Sequence, residues 1–159
     1  MYVFLGRFAP LHLGHQKIID KMISLYGINN CLILIGSSNV INERTPYSFL
    51  FRKKLIKTIY PKINILPLVD VNNDRLWLDI VKKLETKLKT EFIFLGGSER
   101  DLKQHWSKFK TKVLIDRETE GKGISATNVR NMLNKVNIKE LENLLDPKIL
   151  KLLHKKVKK

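Results

Sequence analysis

Cysteine is nearly absent from this sequence: the single one, Cys31, excludes any disulfide within the chain. It lies in the apolar run 31–35, where a thiol reads as a small buried hydrophobe. Long hydrophobic stretches are missing too, since no run approaches the roughly 18 apolar residues that a membrane span needs. Nor does a positively charged segment precede an apolar one at the N-terminus, so a soluble, cytoplasmic protein without a membrane partner is expected. There is no internal repeat and no low-complexity linker. At 159 residues and 43% hydrophobic composition, the chain suits one domain with a sizeable core.

Acidic residues are scarce as well, 15 against 30 basic ones, which leaves a formal net charge of +15. Such an excess invites a nucleic-acid reading, in which the charge itself is the function. The identity of the basic residues argues against it. Only seven are arginine (Arg7, Arg44, Arg52, Arg75, Arg100, Arg117 and Arg130), and the lysines are scattered over the predicted helices and the tail, as on a solvated helix face. Several of the arginines fall beside glycine, proline or serine at predicted loops and helix starts, where a planar fork suits phosphate.

What is present is an alternation. Apolar runs of strand length occur at residues 2–5, 31–35, 64–69, 91–95 and 112–115, most of them too continuous to be half exposed, so they are predicted to be buried parallel strands. Pro67 cannot donate to a ladder and puts the third strand at an edge. Between the strands, helical spacing recurs at Ile18, Ile19, Met22, Ile23 and Tyr26, at Phe49, Phe51, Leu55, Ile56 and Ile59, and at Leu76, Ile80, Val81, Leu84 and Leu88. Such alternation means βαβ units. After the fifth strand, residues 120–123 read as a flexible loop, Ser125 as the N-cap of a helix, residues 138–145 as another helix, and Asp146-Pro147 as N-cap and N1 of a last one.

The stretch Gly6-Arg7-Phe8-Ala9-Pro10-Leu11-His12-Leu13-Gly14-His15 joins the first strand to the first helix. In an open α/β sheet such a junction turns helix N–H groups toward a ligand and suits phosphate. Gly14 would let backbone approach that ligand closely. A zinc site is the rival reading, but it needs three or four ligands, and Cys31, His105 and His154 are too far away in sequence to complete one. Metal ligation by the protein is therefore not expected.

Read together, Gly6-Arg7-Phe8-x-Pro10-x-His12-x-Gly14-His15 and Ile124-Ser125-Ala126-Thr127-x-Val129-Arg130 resemble the paired motifs of the HxGH nucleotidyltransferase superfamily. Three further stretches, Gly36-Ser37-Ser38-Asn39, Arg44-Thr45-Pro46-Tyr47-Ser48 with Arg52, and Asn73-Asp74-Arg75-Leu76-Trp77, look like the nicotinamide-mononucleotide adenylyltransferases of archaeal type. The Asn-Asp-x-x-Trp and Ser-Ala-Thr spellings are similar to the adenylyltransferase half of bifunctional Nudix enzymes. Leu11, Ala9 and Phe51 depart from the residues usual there, which are Phe, Gln and Glu.

The resemblance implies a Rossmann-like, doubly wound α/β fold. Its five-stranded parallel sheet would have the order 3-2-1-4-5 and a helical C-terminal end, in one nucleotidyltransferase domain over residues 1–159. It implies adenylyl transfer from ATP to nicotinamide or nicotinate mononucleotide, releasing pyrophosphate. The alternative acceptors are phosphopantetheine, a flavin nucleotide or a polyol phosphate. His12, His15, Arg7 and Arg130 would be catalytic. Gly6, Phe8, Gly14, Gly96, Gly97, Ser125 and Thr127 would join them in binding ATP, with Mg²⁺ delivered on the nucleotide. Ser37, Asn39, Arg44, Arg52, Asn73, Asp74 and Trp77 would bind the acceptor, Trp77 by stacking. Trp106 reads as a packing residue. Relatives of this type often assemble, so a homo-oligomer is compatible with the resemblance.

Overall fold

The computed structural model describes residues 1–97, 109–115, 124–134 and 138–157. Strands β1 (Tyr2–Gly6), β2 (Cys31–Ile35), β3 (Asn64–Pro67), β4 (Ile93–Gly96) and β5 (Lys110–Val113) form one parallel sheet in the order β3-β2-β1-β4-β5. Helices α1 (Leu13–Tyr26), α2 (Phe49–Ile59) and α3 (Asp74–Leu88) follow the first three strands. Helices α4 (Ala126–Asn134), α5 (Ile138–Glu142) and α6 (Pro147–Val157) close the chain. The expected order and the helical C-terminal end are both found. Ser98, His105, Trp106 and the loop 120–123 lie outside the described residues.

The residues of β2 explain why the sheet is covered twice. Strand side chains alternate between faces, and Cys31, Ile33 and Ile35 join Phe4, Met22, Leu55 and Ile149 in one apolar cluster. Leu32 and Leu34 join Val3, Val81, Phe92 and Phe94 in the other. Helices α1, α2 and α6 contribute to the first cluster and α3 to the second. All five β2 residues are buried, as a central parallel strand requires. Burial also raises the pKa of the Cys31 thiol above its ordinary value.

Several boundaries differ from the sequence reading: β3 ends at Pro67 and not at residue 69, and β4 begins at Ile93 and not at residue 91. The fifth strand begins two residues earlier than predicted, and its Lys110, Thr111 and Lys112 are exposed, so it is an edge strand and not a buried one. The helix predicted over 138–145 stops at Glu142 and continues as turns. The last helix starts as expected, with Asp146 Oδ1 accepting from the Lys148 N–H at 2.8 Å ahead of Pro147 at its first position. Among the described residues, no helix is long and apolar enough to cross a membrane.

Candidate active site

Each of the first three loops at the carboxyl edge of the sheet contains a non-glycine residue in the left-handed region: Phe8 at φ 49°, Ser37 at φ 46° and Asn72 at φ 49°. Such conformations cost on the order of 1–3 kcal/mol each and cluster where a loop must hold a shape for a ligand. At Phe8 the turn sends the ring inward. It is 1% exposed and packs 5.4 Å from Phe4 and 4.8 Å from His15, centroid to centroid. Phe8 was expected to bind ATP; its side chain instead backs His15. A Cβ on Gly6 would stand 3.1 Å from that ring, which is why a glycine ends β1.

The two histidines lock each other at the start of α1. His12 Nδ1 accepts from the His15 N–H at 3.3 Å, and His15 Nδ1 accepts from the His12 N–H at 3.4 Å, a reciprocal capping box. Their rings stack 3.6 Å apart. Both are buried, 1% and 7% exposed, although they sit on a polar loop. Because each Nδ1 lone pair faces a backbone N–H, each neutral ring carries its proton on Nε2, and Nε2 is the nitrogen that donates. Gly14 also serves the cap. A Cβ there would lie 3.1 Å from the His12 ring, so the glycine makes room for the histidine that caps the helix.

The second motif comes alongside the first. The Cβ position of Gly14 is 3.6 Å from Ile124 Cβ, and Arg130 Nη1 donates to Ala9 O at 2.9 Å while its Nη2 donates to Thr127 Oγ1 at 3.1 Å. Ser125 caps α4, its Oγ accepting from the Asn128 N–H at 3.1 Å. Burial lowers the Arg130 pKa; the nearby Tyr47 opposes that shift, while Arg7 and Arg44 add to it. Burial likewise raises the Tyr47 hydroxyl pKa, with Arg130 pulling the other way. Arg7, Arg44 and Arg130 therefore share one electrostatic neighbourhood. Arg44, expected at the acceptor, belongs to the same cationic group as Arg7 and Arg130, which were expected at ATP. Gly96 and Gly97, at the end of β4, are both buried.

On the acceptor side, one expectation is corrected. Arg52 is fully buried, its Nη1 donating to Arg7 O at 2.9 Å and Gly36 O at 2.8 Å and its Nη2 to Ser37 O at 2.9 Å. Burial, and then Arg7, lower its pKa. It braces the loops and does not face an acceptor. The Asn39 amide is also taken up by the fold, donating to Asp70 O at 3.0 Å and accepting from the Asp70 N–H at 2.7 Å. Ser37 Oγ donates to Asp70 Oδ2 at 3.3 Å, tying the second loop to the third. Asn73 Oδ1 caps α3 by accepting from the Arg75 and Leu76 N–H groups, both at 3.0 Å, and its amide N–H groups remain as donors. Asp74 is exposed, and Trp77 is half-buried, packed partly against the α3-side cluster.

Two residues of this architecture, Asn42 and Asp70, escaped the sequence reading, as did the role of Thr45. Asn42 Oδ1 accepts from the Arg44 N–H at 2.9 Å and from Thr45 N–H and Oγ1, both at 3.0 Å, and so fixes the turn that carries Arg44. The spelling Asn42-Glu43-Arg44-Thr45-Pro46 is an Asx-turn signal and could have identified both Asn42 and Thr45. Asp70 has one local partner, its Oδ1 accepting from the Asn72 N–H at 3.3 Å as in an Asx-turn, but the partners that tie it to the second loop are 31 and 33 residues away.

Known proteins resemble this chain in sequence and in fold. The profile of the cytidylyltransferase-like family matches residues 3–132. The nicotinamide/nicotinic acid mononucleotide adenylyltransferase of Acinetobacter baylyi is 28% identical over 137 residues, 80% of this chain and 72% of that protein. The bifunctional riboflavin kinase/FMN adenylyltransferase of Buchnera aphidicola is 29% identical over 166 residues, 86% of this chain but 52% of that protein. Among solved structures, the Plasmodium falciparum nicotinic acid mononucleotide adenylyltransferase complexed with NaAD superposes with a TM-score of 0.68 at 18% identity. The match covers 97% of this chain and 94% of that one, and it is a likeness of fold. The chain belongs to the cytidylyltransferase-like family and is a nucleotidyltransferase.

Proposed function

We propose that the protein transfers the adenylyl group of ATP to nicotinamide mononucleotide or nicotinate mononucleotide, forming the dinucleotide and pyrophosphate. The observation that carries this reading is the reciprocal His12–His15 cap set beside Ser125, Thr127 and Arg130. It combines two helix N-termini, two imidazole donors and a group of arginines, a set suited to a triphosphate. The Acinetobacter relative, named for a nicotinamide nucleotide, supports the acceptor, as does Trp77 on the first turn of α3.

The chemistry asks little of the protein beyond position and charge. An acceptor phosphate monoester has its second pKa near about 6 and is largely a dianion at neutral pH, so it needs no general base. One of its oxygens attacks the α-phosphorus of ATP. The new O–P bond forms as the α-phosphorus to bridging-oxygen bond breaks, and pyrophosphate leaves with the electron pair. His12 and His15 donate from Nε2 to the phosphate oxygens whose charge grows, while Arg7, Arg44 and Arg130 hold the chain of phosphates. Mg²⁺ would arrive on ATP and neutralise its outer phosphates. Segments 6–15 and 124–130 contain no carboxylate, so their residues grip the nucleotide and not the ion. Trp77 stacks on the acceptor's ring, with Asn73 and Asp74 hydrogen-bonding to its polar groups.

The Buchnera relative favours a second reading, in which a flavin nucleotide is the acceptor. A panel decides between them: ATP and Mg²⁺ with nicotinamide mononucleotide, nicotinate mononucleotide, flavin mononucleotide or phosphopantetheine, read by pyrophosphate release. Turnover with a nicotinamide-type acceptor is expected. Turnover with flavin mononucleotide alone would replace that acceptor, and no turnover with any would reject the reading.

A further inference from the structure

Arg52 is unusual among the arginines. It is fully exposure-free, and among the described residues no carboxylate pairs with it. Its terminal nitrogens are instead held by three backbone carbonyls, those of Arg7, Gly36 and Ser37. The first belongs to the loop after β1, which carries the histidines. The other two belong to the loop after β2, which leads to Arg44. Gly36 N–H also donates to Gly6 O at 2.9 Å, so the two loops part company only beyond that bond. From there on, Arg52 is what spans them. A buried cation without a counterion is costly, and a protein keeps one where its geometry or its field is needed.

We propose that Arg52 is a positioning residue for the transfer reaction. By holding the Arg7 peptide against the Gly36–Ser37 segment, it fixes the spacing between the triphosphate loop and the loop of Arg44, and it adds an unneutralised positive charge beside a site that binds polyanions. The inference rests on the adenylyl-transfer reading above. It makes Arg52 matter to the rate more than to the affinity of either substrate, because in-line attack tolerates little error in the distance between reactants and a displacement of about 1 Å costs on the order of 100-fold. The fork is essential to this role. A lysine keeps the charge, but a single ammonium cannot reproduce two nitrogens bonded to three carbonyls in a fixed plane.

The test is Arg52→Lys, assayed with ATP and whichever acceptor the unaltered protein uses, with competent sites counted by binding of a non-hydrolysable ATP analogue. The expected result is a kcat per competent site lower by about 100-fold, with KM for both substrates within about 3-fold. A residue needed only for folding would lower Tm and the number of competent sites while leaving kcat per site unchanged, and that result overturns the proposal. So does an acceptor KM that rises about 10-fold at unchanged kcat, which would make Arg52 a ligand. Arginine-selective ¹⁵N NMR of the unaltered protein needs no variant to fold: the clamp predicts slow rotation of one guanidinium with resolved Nη protons, and averaged signals from every arginine reject it. If the unaltered protein turns over with no acceptor, the adenylyl-transfer reading fails, and the NMR experiment still decides the clamp.

Discussion

The loop after β1 and the loops after β2 and β3 all carry polar side chains, yet those side chains end in different surroundings. In residues 6–15 the histidine Nδ1 atoms are satisfied by backbone within the same turn, which makes Nε2 the donor end of each ring. In residues 36–39 and 70–73 the polar groups bond mainly to one another: Asn39 to the Asp70 backbone, Ser37 to the Asp70 carboxylate, and Asn73 to the start of α3. The first loop is a set of donors braced from behind by Phe8. The other two are a frame, from which Arg44 and Asp74 protrude and beside which Trp77 lies half-buried. A short loop with a built-in cap can present its own side chains. The other two loops hold each other, so more of their polar residues become structural.

Substitutions that distinguish donors from frame test this contrast. The largest effect is expected at His15. In the proposed reaction His15→Ala would remove a donor to charge that grows in the transition state, so kcat should fall by about 10²–10³-fold with ATP binding changed much less, as measured by steady-state kinetics and by titration with an ATP analogue. A loss confined to ATP binding would move His15 out of the catalytic group. Gly14→Ala comes next. Its Cβ would press on the His12 ring at 3.1 Å and loosen the reciprocal cap. A kcat decrease of about 10-fold is expected, with a Tm decrease of about 2–4 °C for a loss of ~1 kcal/mol, read by calorimetry.

Trp77→Ala probes the residue that lies beside the frame. Stacking on a base-like ring contributes about 1–3 kcal/mol, so the acceptor KM should rise about 10-fold while the ATP KM stays within about 2-fold. An unchanged acceptor KM would assign Trp77 to packing alone. Asn39→Ala probes the frame itself. Losing its exposed pair of bonds to Asp70 should cost about 1 kcal/mol of stability, measured by urea unfolding, with a smaller effect on acceptor KM than Trp77→Ala has.

The smallest effect lies away from the site. Burial, and then the hydrogen bond from Tyr60 Oη to Asp20 Oδ1 at 2.7 Å, raise the Tyr60 pKa well above its ordinary value. A raised folded-state pKa gives stability that is complete below the unfolded value of about 10 and is lost as pH rises beyond it. Chemical denaturation between pH 8 and 11 should therefore show a steeper alkaline loss for the unaltered protein than for Tyr60→Phe.

Most of the fold was legible because it rests on local periodicity and continuous apolar runs. The unbroken Cys31-Leu32-Ile33-Leu34-Ile35 could only be a doubly covered strand, and Pro67 marked β3 as an edge. The start of β5 was missed because an exposed edge strand spelled Lys110-Thr111-Lys112 lacks the apolar signal that identified the others. In the site, the motif spacing identified both helix N-termini that meet there. What it could not convey were the consequences of backbone dihedrals and distant partners. Nothing in the letters says that Phe8 adopts φ 49° and turns inward, that Gly14 is small for the sake of His12, or that Arg52 has three carbonyls within reach from loops 16 and 45 residues away.

The central claim is that residues 6–15 and 124–130 hold a triphosphate so that its α-phosphorus, and not its γ-phosphorus, is attacked. ATP labelled with ³²P at the α position, incubated with the protein, Mg²⁺ and nicotinamide mononucleotide, tests that claim most directly. The account predicts that the label appears in a dinucleotide product while unlabelled pyrophosphate is released in equal amount. Label that remains in ADP, with the γ-phosphoryl group on the acceptor, would contradict it.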